Sequence, residues 1–175
     1  CLNNMFRDCA NMTDCNLTGL VTNNANGMSG MFRGCASLVN LDLSNFVTDE
    51  VRRMVDMFHG CTKLESVNMS SFIVSKTTSM ANMFMGCKAL TDVSFSNTAT
   101  STYALTDMSN MFNGCTALQN IDLSSMNVSS IQANMQKVFY NCSSLATIDL
   151  ANWVLNATAA KVNTDYMFAN CTNLH

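Results

Sequence analysis

The sequence has few charged residues and no long hydrophobic run. Only 12% of its 175 residues are charged, and the formal net charge is -3. A nucleic-acid-binding surface needs a dense basic field, which this composition excludes. No apolar run reaches the roughly 18 residues of a membrane-spanning helix, and no signal-peptide pattern is present. We therefore expect neither a nucleic-acid partner nor a membrane span within this sequence.

Histidine is also scarce, and this argues against an enzyme. The chain has only His59 and His175, and a nucleophile, a base and an orienting group cannot be assembled from one plausible histidine. No CxxC or histidine-bearing ligand spacing accompanies the cysteines. We predict a non-enzymatic protein without a cofactor, in which His59 is an exposed residue at the end of a helix.

A repeat dominates the rest of the sequence. The stretch MFRGCASLVNLDLSNF, Met31 to Phe46, returns as MFHGCTKLESVNMSSF, Met57 to Phe72. Its recurring cysteines, called here the ladder cysteines, follow one another at steps of 26, 26, 26, 28, 27 and 29 residues: Cys9, Cys35, Cys61, Cys87, Cys115, Cys142 and Cys171. A period in the twenties indicates a solenoid. We expect residues 1–175 to form a single solenoid domain of about six to seven repeats, a fragment of a longer array.

The residues before each ladder cysteine predict a short helix. A phenylalanine stands three residues before it, and methionines recur four and seven residues before it, as in VRRMVDMF, Val51 to Phe58. These spacings place the apolar side chains on one helical stripe, where methionine is better explained as core filling than as a metal ligand. The residue directly before the cysteine is always Gly, Asn or Asp, which predicts a left-handed turn.

The residues after each ladder cysteine predict a short strand. Apolar side chains recur three, six and eight positions later, and the last two alternate at the strand period, as Leu41 and Leu43 do. The fold class predicted is an α/β repeat solenoid with short parallel strands, joined in one continuous sheet, on one face and short helices on the other. The ladder cysteines, and Cys15 in the strand column, are expected in the core as free thiols. A disulfide chain is disfavoured because in-register cysteines cannot all pair with bridge geometry, and no ligand spacing supports a metal column.

The pattern MFRGCASLVNLDLSNFVTDEVRRMVDMFHGC resembles the BspA-like leucine-rich-repeat proteins, and the resemblance covers essentially the whole chain. It implies a right-handed solenoid, a cell-surface or extracellular location, and adhesion to host or matrix proteins without catalytic residues. Two departures occur. Residues 97–103 carry the extra length of the 28-residue repeat, and Thr164 interrupts the methionine column in LNATAAKVNTDYMF.

The outward positions of the predicted strands are small, polar and mildly acidic. The candidate protein-binding residues on this face are Asn40, Asp42, Ser44, Asn68, Ser70, Ser94, Asn120, Asp122, Ser124 and Asp149. Asp122 and Asp149 also suggest part of an oxygen-ligand ladder for a hard cation. However, no calcium-loop motif is present, and solvated side chains are the favoured interpretation, so no metal site is predicted.

Two functions fit this sequence. The first is a surface adhesion or ligand-binding module for a protein partner, with weak affinity unless Trp153, Tyr103 or Tyr140 borders the contact. The alternative is a structural spacer or a self-assembling filament or surface-layer unit, in which the chain associates with copies of itself.

Overall fold

A computed structural model of the chain describes residues 1–95, 100–101, 104–124, 126–127, 134–150, 153 and 162–175. These residues form seven short strands and no helix, and so contain no helix long and apolar enough to cross a membrane. The strands are β1 (Asn40–Asp42), β2 (Ser66–Met69), β3 (Asp92–Phe95), β4 (Thr100–Ser101), β5 (Asn120–Asp122), β6 (Met126–Asn127) and β7 (Thr147–Asp149).

All strand pairs are parallel, as predicted for stacked coils. β1, β2 and β3 form one sheet in that order, with Leu41 opposite Val67 and Val67 opposite Val93. β5 pairs with β7, and β4 with β6. The prediction of one continuous sheet is wrong, because β3 and β5 are not paired. This break adjoins the 28-residue repeat, most of whose extra residues, 97–99 and 102–103, lie outside the described part of the chain.

The predicted helix before each ladder cysteine is replaced by a series of turns. Residues 51–58 contain an isolated bridge at Arg53 followed by turns. The reason is a pair of left-handed residues in each coil. One lies directly before the cysteine, as predicted, and the other lies five residues before it, where no turn was predicted. In this coil they are Asp56, at φ 58°, and Gly60, at φ 77°. An α-helix needs right-handed dihedrals at every residue, so it cannot continue through them.

The turns hold neighbouring coils together through backbone hydrogen bonds. The N–H groups seven, five, three and one residues before a ladder cysteine donate to carbonyls of the next coil. In the second coil, the Met28 N–H donates to the Arg53 carbonyl at 3.0 Å and the Phe32 N–H to the Met57 carbonyl at 2.9 Å. The same four bonds recur between every neighbouring pair of coils from the first ladder cysteine to the last. We call this surface, made of the seven residues before each ladder cysteine, the turn face.

The core behind the turn face is a column of stacked phenylalanines. Ring centroids of successive members lie 5.1 to 5.6 Å apart with interplanar angles of 1° to 12°. The members are Phe6, Phe32, Phe58, Phe84, Phe112, Phe139 and Phe168. The methionines at both predicted columns of the middle coils have no exposed surface, which confirms that they fill the core.

The ladder cysteines are free thiols that also link the coils. Cys61 Sγ donates to the Phe32 carbonyl of the preceding coil at 3.1 Å, and the other ladder cysteines from Cys35 to Cys171 make the equivalent bond at 3.0 to 3.2 Å. The five from Cys35 to Cys142 are buried, as predicted. Cys9 is exposed, contrary to the prediction, and Cys15 and Cys171 are half-buried.

The left-handed turn gives a stability prediction at Gly60. A Cβ added there would meet only the Gly34 Cα at 4.0 Å, an ordinary contact, so Gly60→Ala should lose about 1–2 kcal/mol of unfolding free energy from backbone strain alone. Gly60→Asn should lose less, since Asn141 and Asn170 adopt the same turn. Urea denaturation measures the loss. Gly19→Ala is the control, because Gly19 lacks positive φ and an added Cβ there would have no atom within 4 Å. Equal midpoints and slopes for Gly60→Ala and the parent would contradict the turn.

The buried thiols predict a loss of stability at alkaline pH. Burial raises the pKa of Cys61 and of Cys142 to about 12, whereas an unperturbed thiol titrates near 9.0. The unfolded chain therefore releases these protons at a lower pH than the folded chain, and the free energy of unfolding should fall as pH rises from about 9 towards 12. Below that window these thiols should contribute no pH dependence.

Urea denaturation at a series of pH values tests this expectation. Cys61→Ser keeps a donor for the Phe32 carbonyl but does not titrate in the window, so its stability should fall less steeply than that of the parent. Cys1→Ser, which alters an exposed thiol, should follow the parent. A Cys61→Ser protein with the same alkaline decline as the parent would show that the thiol is not the titrating group.

Candidate protein-binding face

The candidate residues project from the strands on the side opposite the core. In β1 the outward residues Asn40 and Asp42 are exposed, while Leu41 between them is buried. β5 repeats this pattern. We call the outward positions of β1, β2, β3, β5 and β7 the strand face. Its composition follows from strand geometry, because alternate side chains of a strand point to opposite sides of the sheet.

An acidic or amide side chain at the end of three strands caps the turn that follows. Asp42 Oδ1 accepts the Ser44 N–H at 2.9 Å, and Asp122 Oδ1 accepts the Ser124 N–H at 2.8 Å. Asn68 makes the same bond to the Ser70 N–H at 3.1 Å, which shows that an amide serves as well as a carboxylate. The predicted residues Ser44, Ser70 and Ser124 are thus the turn partners of the strand residues.

These hydrogen bonds also shape the charge on the strand face. The bond from the Ser44 N–H lowers the pKa of Asp42, and bonds from the Ser124 hydroxyl and N–H lower the pKa of Asp122. A carboxylate that accepts hydrogen bonds in its charged form stays ionised to lower pH. The strand face is therefore anionic at neutral pH.

Polar side chains also bond across the strands. Ser66 Oγ donates to Asn40 Oδ1 at 2.7 Å, and Thr147 Oγ1 donates to Asn120 Oδ1. These contacts join residues that are opposite one another in the parallel register. Because Asn40 and Asn120 each accept through Oδ1, the amide nitrogen of each side chain is directed away from that hydrogen bond.

Two shallow grooves run over the strand face. The larger, of about 640 Å³, lies over β3, β5 and β7, and its acidic lining residues are Asp92, Asp122 and Asp149. The smaller, of about 400 Å³, lies over β1 and β2 and also reaches Asp92. Asp92 therefore joins the two grooves. The candidate set omitted it, although its outward position in the strand pattern was the signal that identifies it.

The structure brings most of the candidate residues together on this face. Asn40, Asp42 and Asn68 line the smaller groove, and Asn120, Asp122 and Asp149 line the larger one. The backbone of Ser94 lies opposite Asn68 in β3, but its side chain falls outside the described part of the structure. Ser44, Ser70 and Ser124 follow the strands at the rim.

Two of the three aromatic residues that could strengthen a contact lie on the turn face or pack against the core. Trp153 donates from Nε1 to the Leu123 carbonyl at 3.2 Å and packs against the core. Tyr140 is on the turn face, where Lys137 Nζ lies 5.5 Å from its ring centroid. Tyr103 lies outside the described residues. The described part of the strand face therefore presents small polar side chains and carboxylates rather than the rings of Trp153 and Tyr140.

The histidine prediction needs correction. His59 is half-buried rather than exposed, and its Nδ1 lies 3.3 Å from Asp56 Oδ1. The other oxygen of Asp56 accepts a hydrogen bond from Arg33 Nη1 at 2.5 Å. The carboxylate is thus engaged in an ion pair between coils, and the contacts described for His59 include no hydroxyl or thiol that it could activate as a base.

No metal centre is evident in the part of the chain that the structure describes. Within it, no three or more His, Cys, Asp or Glu side chains are grouped closely enough to hold a metal ion. Asp122 and Asp149 are opposite one another in the register, but they are the only such acidic pair along β5 and β7, and calcium takes six to eight oxygen ligands.

Two solved structures are similar to this chain. A leucine-rich repeat protein from Bacteroides ovatus is 21% identical, with a TM-score of 0.46, over 70% of this chain and 28% of its own. A leucine rich cell surface protein from Faecalibacterium prausnitzii is 14% identical, with a TM-score of 0.27, over 99% of this chain and 67% of its own. This chain thus spans little more than a quarter of the length of the Bacteroides protein. No curated protein matches the sequence.

One family model matches the sequence in two overlapping segments, residues 1–103 and 96–175, which together cover the whole chain. Its description is "Mycoplasma protein of unknown function, DUF285". This repeat family is compatible with the BspA-like leucine-rich repeats that the sequence resembles. Because the model matches the whole chain, the chain belongs to the DUF285 family.

Proposed function

We propose that this chain is a non-enzymatic binding module that holds a protein ligand on its strand face, outside the cell or at its surface. The observation that carries the proposal is that the two faces have different roles. The turn face uses its backbone and its Cys and Phe columns to join the coils. The strand face has exposed polar side chains over two connected grooves.

The size of the strand face suits a modest recognition surface. Parallel strands lie about 4.8 Å apart, so the five strands of this face span roughly 19 Å from β1 to β7. Solenoid proteins commonly bind partners along such an extended surface. Aromatic anchors usually concentrate binding energy, and the described part of this face offers carboxylates and amides instead, so we expect weak affinity from one array and stronger binding from several linked arrays.

The resemblance to BspA-like repeats supports an extracellular location and a host or matrix protein as the ligand. We propose the same residues as the contact: the candidate set given above, with Asp92 added because it joins the grooves. We also propose that the chain is one solenoid domain and a fragment of a longer array. Repetition of the strand face in additional coils would lengthen the same surface.

Binding to a panel of purified extracellular-matrix proteins, measured by surface plasmon resonance, tests the proposal. Ser66→Trp with Thr147→Trp should abolish binding, because both bulky side chains project from the strand face into the grooves. His59→Trp with Tyr140→Trp is the matched control, since it places the same bulk on the turn face of the same two coils. This control should bind as the parent does, with melting temperatures recorded for every variant.

Two results would contradict the proposal. Loss of binding in the turn-face control, with binding retained by the strand-face variant, would move the site to the turn face. Absence of saturable binding to the whole panel, together with concentration-dependent fibres in analytical ultracentrifugation, would favour the structural or self-assembling unit instead.

A further inference from the structure

Acidic and basic residues lie on different parts of the described molecule. Along the described strands, the outward charged residues are all acidic: Asp42, Asp92, Asp122 and Asp149. The described lysines and arginines lie outside these strands: Arg7, Arg33, Arg52, Arg53, Lys63, Lys76, Lys88 and Lys137. None of the ion pairs among the described residues involves Asp42, Asp92 or Asp122.

The register of β5 and β7 adds an unfavourable contact that a cation would relieve. It sets Asp122 directly opposite Asp149, and like charges opposite one another destabilise a strand pair. Elsewhere on the face the chain avoids this, since Asp42 lies opposite Asn68. Asp122 and Asp149 line the larger groove, and Asp92 lines the same groove.

The carboxylates of the larger groove lie one on each of three strands. Neighbouring strands lie about 4.8 Å apart, and outward residues two apart along one strand lie about 6.6 Å apart. Asp92 occupies the first outward position of its strand, and Asp122 and Asp149 occupy the second. Alternate side chains of an extended peptide recur at about 6.6 Å, roughly 2 Å more than the spacing of Asp122 and Asp149 on paired strands. The flexible side chains of lysine and arginine can absorb that difference, so basic residues of the peptide can reach successive carboxylates. Asn120, at the first position of β5, offers its amide nitrogen to the peptide backbone.

We propose that the larger groove over β3, β5 and β7 binds an extended, basic segment of a partner protein, whose lysine or arginine side chains pair with Asp92, Asp122 and Asp149. This inference rests on the proposed function and names the chemistry of its ligand. The lowered pKa of Asp122 keeps that partner site charged in mildly acidic surroundings. A nucleic acid is disfavoured, since its phosphates would meet the same carboxylates.

Fluorescence anisotropy with labelled peptides of equal length tests the proposal. The peptides alternate Lys-Ser, Gln-Ser or Glu-Ser, so that they differ only in charge. The parent protein should bind the Lys-Ser peptide, more weakly as salt is raised, and should bind the other two at least tenfold less tightly. Comparable binding of the Gln-Ser peptide would overturn the basic-ligand assignment.

Two triple variants with the same net charge locate the site. Asp92→Asn, Asp122→Asn and Asp149→Asn together should weaken Lys-Ser binding about tenfold. An exposed ion pair is worth about two- to fivefold in affinity, and Asp92 and the opposed pair of Asp122 and Asp149 act as two sites whose effects roughly multiply. Asparagine can preserve the strand-exit turn, as Asn68 does. The control, Asp49→Asn with Asp107→Asn and Asp165→Asn, removes three carboxylates from loops and the turn face and should bind as the parent does. Equal affinities for the two triple variants would overturn the proposal.

The same variants separate this inference from the proposed function. If a matrix-protein ligand is blocked by Ser66→Trp with Thr147→Trp but is unaffected by the three groove asparagines, the strand face binds a ligand that is not basic, and only the present inference fails. If neither set of strand-face changes affects that ligand, both fail. If the groove asparagines weaken it about tenfold while the control triple does not, both stand.

Discussion

The register between neighbouring turn faces is the constraint on which the rest of the structure depends. Each coil is fixed to the next by four backbone hydrogen bonds, a stacked phenylalanine pair and one thiol-to-carbonyl bond. This set persists between the fourth and fifth coils, where Phe84 and Phe112 stack at 5.3 Å and Cys115 bonds the Phe84 carbonyl. β3 and β5 of those coils are not paired. The array therefore does not require continuous strand pairing.

The thiol explains why this column is cysteine rather than a larger apolar residue. The side chain must pack in a site with no exposed surface and still satisfy a carbonyl of the preceding coil. A buried thiol is small, mostly apolar and a weak donor, which suits both demands. A methionine there would leave the Phe32 carbonyl without its thiol donor from the next coil.

The repeated side-chain pattern predicted which positions are buried, but it did not predict the backbone dihedral angles of the segment before each cysteine. In the coils from Cys35 to Cys142, burial of the methionine and phenylalanine columns, the strand positions and the left-handed residue before each cysteine are all confirmed. The first coil forms no strand after Cys9, and Met5 is exposed. The helix was wrong because apolar spacings of three and four fit successive turns as well as a helix. The missed signal was Asn4, Gly30, Asp56, Asn82 and Asn110, all five residues before a ladder cysteine. Lys137 and Tyr166 occupy the same left-handed position and weaken that signal in the last coils.

For the candidate site, sequence alternation placed the outward residues but could not show which strands pair. The break between β3 and β5 depends on the geometry of one longer coil, and the grooves depend on how the coils stack. The strand-exit turns were also hidden, since an Asp or Asn followed by a residue and a Ser is common in loops. Asp122 beside Asp149 becomes an opposed pair only when the parallel register is known.

One consequence concerns how such arrays change in evolution. The bridge residue lies eight residues before each ladder cysteine from Cys35 onward, and the strand begins five residues after each ladder cysteine from Cys35 to Cys142. The variation among the steps of 26 to 29 residues therefore falls in the connection from a strand to the following bridge. Insertions there leave the turn-face bonding undisturbed. Longer loops can therefore be inserted beside the strand face without changes to the core residues. Whole coils can likewise be duplicated or exchanged as units.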